Sequence, residues 1–262
     1  MLDKLDQNIL QQLEADARQS NANIARKLKT NKAKVNYRIE RLQKEKIITG
    51  FKYITNQVIL GKLSFGLLVQ FKGILQDKEE EIINKLNRME GIAWVSAING
   101  KWDMIAVIIE KDIQAFKIIL QKVFSVCGEQ IKEYCFYVDY EGSISGHKYL
   151  YDSPRDISVK YVSGNNIELN KTESDVYNLL KKDPRMSLLQ IASKLNKTYD
   201  TIKAKYNYLK SKKVLLRCSP DINIKVIGYK EFLCLFNLEP SQEKLNRLLD
   251  FCVKQPNIIR YA

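Results

Sequence analysis

Residues 24–28, Ile-Ala-Arg-Lys-Leu, return as Ile-Ala-Ser-Lys-Leu at 191–195 without a gap. The same offset of 167 carries Asp16 onto Asp183, Arg18 onto Arg185, Val35 onto Ile202, Leu42 onto Leu209 and Gly61 onto Gly228. A constant offset over so many positions makes the chain a tandem repeat of one long unit and excludes a solenoid of short ones. Whatever the first copy folds into, the second must be able to fold into as well.

Each copy is built around a stretch like 20–46, SNANIARKLKTNKAKVNYRIERLQKEK. Its apolar residues are Ile24, Leu28, Val35, Ile39 and Leu42, with the polar break Lys29-Thr30-Asn31 between them. This spacing predicts two short helices meeting across a tight turn, with Asn31 as the N-cap of the second. With Val35 facing inward, the outward face of that helix carries Ala33, Lys34, Tyr37, Glu40, Arg41 and Lys44, flanked by Lys32, Asn36 and Arg38. Small, amide, aromatic and cationic side chains of this kind can reach base edges and phosphates in a major groove. A solvated basic helix is the plainer reading of the same residues.

Leu5, Ile9, Leu10 and Leu13 add one amphipathic helix before this pair, and Ile47 to Ile54 adds a short β wing after it. Three helices and a wing make a winged helix-turn-helix domain over 1–55. Ser64–Phe71, Ile92–Ile98, Asp103–Glu110 and Ile131–Asp139 read as strands, with helices over Asp77–Met89 and about Asp112–Ser125 and a hairpin turn at Asn99-Gly100. The order βαββαβ over 63–140 is the ferredoxin-like sandwich. Residues 141–167, rich in Gly, Ser and Tyr, read as a linker with one short strand near Val159–Val162. A second winged helix-turn-helix follows over 168–222. A partial second sandwich is expected over 228–262, opening with a strand at Phe232–Phe236 and a helix at Gln242–Val253. At the repeat offset Ala262 corresponds to Val95, so two strands and a helix of that sandwich have no counterpart. The fold class is therefore α+β, a winged helix-turn-helix plus a ferredoxin-like domain, repeated in tandem with the second repeat incomplete.

Charge separates the parts. Residues 1–52 hold 12 Lys/Arg against 6 Asp/Glu, a balance of +6, and residues 168–219 hold 12 against 5, or +7. Residues 63–139 hold 9 against 11, or −2. The excess on the two helix-turn-helix copies is the footprint of modules that meet a polyanion. Five cysteines with no C-x-x-C and a single histidine, His147, argue against a zinc site and a disulfide framework, and for a reducing cytoplasm. No catalytic residue, metal site or cofactor is indicated, no membrane partner is expected, and the chain reads as not an enzyme. No Ser-His-Asp or Cys-His set can be assembled around one linker histidine.

Several segments together resemble the feast/famine, leucine-responsive (Lrp/AsnC) family of transcription regulators. They are Leu5-Asp6-Gln7-Asn8-Ile9-Leu10, Asp16-Ala17-Arg18-Gln19-Ser20, Val35 to Leu42, Ile47-Ile48-Thr49-Gly50-Phe51 and Asn99-Gly100-Lys101-Trp102-Asp103. The resemblance covers the whole of the first repeat and about two-thirds of the second. It implies double-stranded DNA as partner, read through Lys32, Ala33, Lys34, Asn36, Tyr37, Arg38 and Arg41, with Lys197, Lys203 and Lys205 in the second copy. It also implies a small-molecule effector, often an amino acid, near Asn99, Gly100, Lys101, Trp102 and Asp103. Assembly is expected as a homo-oligomer, favoured here, or as an internal pseudo-dimer. A non-specific DNA-coating protein would need the same lysines. Siroheme decarboxylases look like these regulators but have a degenerate reading helix and a haem-like pocket with His and Arg. A basic reading helix and a linker histidine point away from them.

Overall fold

The computed structural model describes residues 2–139, 141–152, 156–162, 166–236 and 241–261. The chain opens with α1 (Lys4–Ala15), α2 (Asn21–Lys27), α3 (Lys32–Lys44) and the strand β1 (Ile48–Thr55). β2 (Leu63–Phe71), α4 (Gln76–Leu86), β3 (Ile92–Ala97), β4 (Met104–Glu110), α5 (Ile113–Cys127) and β5 (Ile131–Asp139) follow. Next come β6 (Glu141–Ile144), β7 (Val159–Val162), α6 (Lys171–Lys182), α7 (Leu188–Leu195), α8 (Tyr199–Ser211) and β8 (Leu215–Ile222). The described chain closes with α9 (Gln242–Lys254) and β9 (Arg260–Tyr261). Two compact units result: residues 2–56, 143–160 and 168–261 form the first, and 57–142 with 161–167 the second.

Within the first unit the repeat is copied down to its helix ends. Asp3 accepts the Asp6 N–H at 2.9 Å and Asp6 accepts the Asp3 N–H at 3.1 Å, closing a capping box at α1. Asn170 and Glu173 do the same at α6, each at 3.0 Å. Ser20 and Ser187 cap α2 and α7. The left-handed residues coincide too, Lys29 with Asn196 (φ 51° and 50°) and Lys46 with Lys213 (φ 56° and 57°). Asn196 suits that conformation better than Lys29, Lys46 and Lys213 do, because its short polar side chain tolerates positive φ.

A single strand per module cannot satisfy its own backbone, and here the two wings satisfy each other. β1 and β8 pair antiparallel, with Lys52 opposite Ser219 and Phe51 opposite Pro220. Cys218 of β8 is 2% exposed and belongs to the core of the first module with Ile9, Leu13, Ile24, Val35, Ile39 and Leu42. The two winged helices therefore pair inside one chain. Of the two expected arrangements, the internal pseudo-dimer is the one seen for these modules; association between chains is a separate matter on which wing pairing does not bear.

The second unit is one four-stranded antiparallel sheet, ordered β3-β4-β2-β5. Phe65, Leu67 and Val69 of β2 pack with Ile82 and Leu86 of α4 and with Phe116, Ile119 and Val123 of α5. The Phe65 and Phe116 rings stack at 4.1 Å. Gly66 faces the other way, beneath the Tyr137 ring, where an added Cβ would lie 2.1 Å from a ring carbon. Any side chain at 66 would displace Tyr137. The ferredoxin-like order predicted over 63–140 is the order observed.

Three expectations need correction. The turn at Asn99-Gly100 is a loop over 98–103 instead of a two-residue hairpin, because Asp103 is drawn off to the end of β2. Residues 141–167 are not a free linker. Ser143 and Ile144 pair with Tyr261 and Arg260, and Ser143, Ser145, Lys148 and Leu150 are buried. Third, 232–236 forms no strand. Its counterpart β2 is held between β4 and β5, and among the described residues no strand lies beside 232–236. Phe232 (80% exposed) and Phe236 (68%) consequently face solvent. The helix expected at 242–253 is present as α9.

Candidate nucleic-acid interface

Asn31 starts the reading helix α3 by accepting the Lys34 N–H at 2.7 Å, and Val35, Ile39 and Leu42 bury one side of it. That leaves Lys32, Ala33, Lys34, Tyr37, Glu40 and Lys44 exposed, with Tyr37 63% accessible. Asn36 sits on the flank, and its side-chain oxygen accepts from Asn21 Nδ2 at 2.7 Å. The helix thus presents its cations and its aromatic ring mainly from its N-terminal half, the part of a recognition helix that contacts base edges.

Arg38 and Arg41 have another task. Asp6 is fully buried, and its carboxylate faces both guanidinium groups: Arg38 Nη1 lies 3.1 Å from Oδ1, and Arg41 Nη2 bonds Oδ2. Arg38 also reaches Asp3 at 2.5 Å. The Asp6 backbone N–H, together with Arg38, holds the Asp3 carboxyl below its usual range. The second copy repeats this connection with Lys205 Nζ 3.0 Å from Glu173 Oε1. Burial raises the Glu173 carboxyl, but Lys205 and the Asn170 N–H outweigh it and leave it lowered. Arg38, Arg41 and Lys205, expected at the DNA, thus neutralise buried or half-buried carboxylates that also cap the first helix of their module. Lys197 and Lys203 are exposed, and Lys203 lies over the Tyr199 ring at 5.9 Å.

At the expected effector loop, Asp103 Oδ2 accepts the Phe71 N–H at 2.7 Å, and the Asp103 N–H donates to the Val69 carbonyl at 3.0 Å. Lys101 pairs with Glu133 at 3.1 Å and lies over the Trp102 ring at 4.6 Å. Gly100 has φ 129° with open space around it. The loop is tied to the end of β2 by the carboxylate that an effector's ammonium would have to share.

A cluster not foreseen from composition joins α1 to the segment 143–152 within the first unit. Glu14 of α1, 1% exposed, receives His147 Nδ1 at 2.7 Å, the His147 N–H at 3.1 Å and the Tyr151 hydroxyl at 2.6 Å. Burial pushes the Glu14 carboxyl up, but the hydrogen bond and charge of His147 outweigh it and leave it lowered. A depressed folded value means this stabilisation is complete above the unfolded value of about 4.3 and is lost as pH falls through the folded one. Urea unfolding of the first unit should therefore lose stability more steeply below about pH 4.3 in the wild type than in Glu14→Gln. Equal pH dependence would show that Glu14 is not held in this way.

Two winged helix-turn-helix modules with exposed basic reading helices, joined in one chain to a ferredoxin-like domain, define a DNA-binding regulator. A family model described as winged helix-turn-helix DNA-binding matches residues 2–49. The chain is 34% identical over 125 residues to the HTH-type transcriptional regulator Ptr1 of Methanocaldococcus jannaschii, covering 47% of this chain and 83% of the relative. It is 28% identical over 131 residues to an uncharacterised HTH-type transcriptional regulator, PH1916, of Pyrococcus horikoshii, covering 49% and 87%. The siroheme decarboxylase NirDL shares the fold over 84% of this chain and 65% of its own, with a TM-score of 0.55 at 17% identity. The chain belongs to the Lrp/AsnC family of helix-turn-helix transcription regulators. Among the described residues no helix is long and apolar enough to cross a membrane, and no group of three or more His, Cys, Asp or Glu could hold a metal.

Proposed function

We propose that this regulator recognises specific duplex sequences, with Lys32, Lys34 and Tyr37 of α3 at the groove and Lys197 and Lys203 as the cations of the second copy. The observation that carries the reading is the division of charge on α3. Its distal arginines are committed to Asp6, whereas Lys32 and Lys34 are exposed beside Tyr37 at the end that approaches bases. Phosphate contacts release counterions, so affinity falls steeply between about 50 and 200 mM salt. Binding isotherms across that range, on duplexes enriched by selection and on unrelated ones, test the reading. Selected duplexes should bind at least ~1,000-fold more tightly, the lower bound usual for specific readers. Lys34→Glu should cut that preference by at least about tenfold without changing thermal stability. Equal affinity for unrelated duplexes would assign the protein to the coating class.

An amino-acid effector at Asn99–Asp103 is the finer part of the proposal. Its carboxylate would take backbone N–H groups of the open loop at Gly100, and its ammonium the oxygen of Asp103 that Phe71 leaves. Asp103→Ala should lower the melting temperature of the second unit even without ligand, because the Phe71 N–H loses its acceptor. An effector would add stabilisation in the wild type that this variant lacks. If none of the twenty amino acids shifts the wild-type transition, the loop is a structural turn alone.

A further inference from the structure

The two reading helices of the first unit are related by an axis that the paired wings define. Lys52 stands opposite Ser219, and these two are equivalent positions of the repeat. Every other pair has its mate under the same exchange. Phe51 with Pro220 answers Tyr53 with Cys218, Gly50 with Asp221 answers Ile54 with Arg217, and Ile48 with Ile222 answers Thr55 with Leu215. Even the interruptions in register agree, one between Ile48 and Gly50 and the other between Ile54 and Thr55. A two-fold rotation through the Lys52–Ser219 pair therefore exchanges β1 with β8, and with them α3 and α8. Arg18 and Arg185, themselves equivalent, each cross to the other module. Arg18 donates to the carbonyls of Pro184 and Met186 at 2.6 and 2.8 Å, and Arg185 lies over the Phe51 ring at 4.7 Å. Duplex DNA offers the same symmetry, and a two-fold pair of recognition helices matches half-sites in inverted orientation.

The two faces that the axis exchanges are chemically unlike. At the exposed positions Ala33, Lys34, Tyr37 and Glu40 are replaced by Asp200, Thr201, Ala204 and Asn207. A lysine reaches guanine O6/N7 or a phosphate, whereas a carboxylate accepts from cytosine N4 and an amide pairs with adenine N6/N7. Resting on the DNA-reading assignment above, we propose that one chain alone occupies a two-half-site operator. Its half-sites run in inverted orientation and differ in sequence, one read by α3 and the other by α8 through Asp200, Lys203 and Asn207. What an ordinary symmetric dimer does with two identical chains, this chain does asymmetrically by itself.

The test starts from duplexes selected from a random pool by the full-length chain. From the selected operator, four short duplexes are made: the operator itself, each half-site doubled as a perfect inverted repeat, and the two halves as a direct repeat. Titration with mass measurement gives the molar ratio of chain to duplex. The expected result is equimolar binding to the selected operator, with the three rearranged duplexes each roughly tenfold weaker or worse. Half-site centres should lie about one helical turn, ~10 base pairs, or a multiple apart. Lys34→Ala should relax sequence preference in one half only, and Asn207→Ala in the other only; both residues are exposed, so each variant keeps its core. Two chains on each inverted repeat, or a doubled half-site bound as tightly as the operator, would overturn the proposal and leave the DNA-reading assignment intact. Failure to enrich any duplex would defeat both.

Discussion

Asp6→Ala is expected to lower the melting temperature of the first unit by about 5–10 °C while leaving the DNA contacts of the folded protein in place. The carboxylate is fully buried and satisfies three groups at once: the Asp3 N–H, Arg38 and Arg41. Removing it breaks the capping box, at a cost of about 1 kcal/mol. It also leaves two guanidinium groups without a partner. Loss of one member of a buried pair costs about 3–5 kcal/mol, but the arginines are 18% and 29% exposed and can turn to water, so the full penalty does not apply. A total of about 2–3 kcal/mol, at ~2–4 °C per kcal/mol for a unit of this size, gives the expected shift. Arg38→Met combined with Arg41→Met and Asp6→Leu should recover much of the loss, because apolar replacement of a whole buried ion cluster is often neutral or better. The informative comparison is Arg41→Met alone. It should reduce thermal stability and leave operator affinity, measured well below the transition, nearly unchanged. A large loss of affinity with unchanged stability would return Arg41 to the DNA surface.

This ion cluster marks where the sequence was legible and where it was not. Helix-turn-helix spacing, the cap at Asn31, the βαββαβ order and the 167-residue repeat all rest on local periodicity or on self-comparison, and the structure bears them out. The Asp6–Arg38 pair lies across 32 positions and has no local signature. Its trace is in the repeat itself, where Asp6 becomes Glu173 and Arg38 becomes Lys205, so opposite charge is kept at both ends. Outward projection alone put Arg41 on the DNA side, because a helical wheel says which way a side chain leaves the axis and not how far it folds back. The docking of 143–152 was hidden for a related reason. Its Gly, Ser and Tyr content reads as linker, while the partner that orders it, Glu14, looks like a surface residue of an amphipathic helix. Likewise, Asn-Gly signals a tight turn locally, whereas the distant Phe71 N–H decides where Asp103 goes and the loop extends over 98–103.

Cys218→Asp should unfold both winged helices together. Cys218 belongs by sequence to the second module, yet its side chain is buried in the core of the first, and its carbonyl accepts the Ala17 N–H at 2.9 Å. Burial pushes its thiol up to about 12, as expected in an apolar site that disfavours charge. A carboxylate there must be desolvated or must pry β8 away from α1, and either route costs about 3–5 kcal/mol. Because β1 and β8 complete each other's hydrogen bonding, the damage cannot stay within one copy. If β8 lifts away, β1 is left as an unpaired strand. Hydrogen exchange read by mass spectrometry follows the modules separately. Protection should fall in α1 to α3 and in α6 to α8 to similar extents. A matched substitution at exposed Cys135 of β5 should leave both sets protected. Loss confined to the second module would show that the two copies fold independently and that their wing pairing adds little. Joint loss would establish the paired winged helices as one cooperative unit, which is the physical condition for a single chain to hold two reading helices at a fixed separation.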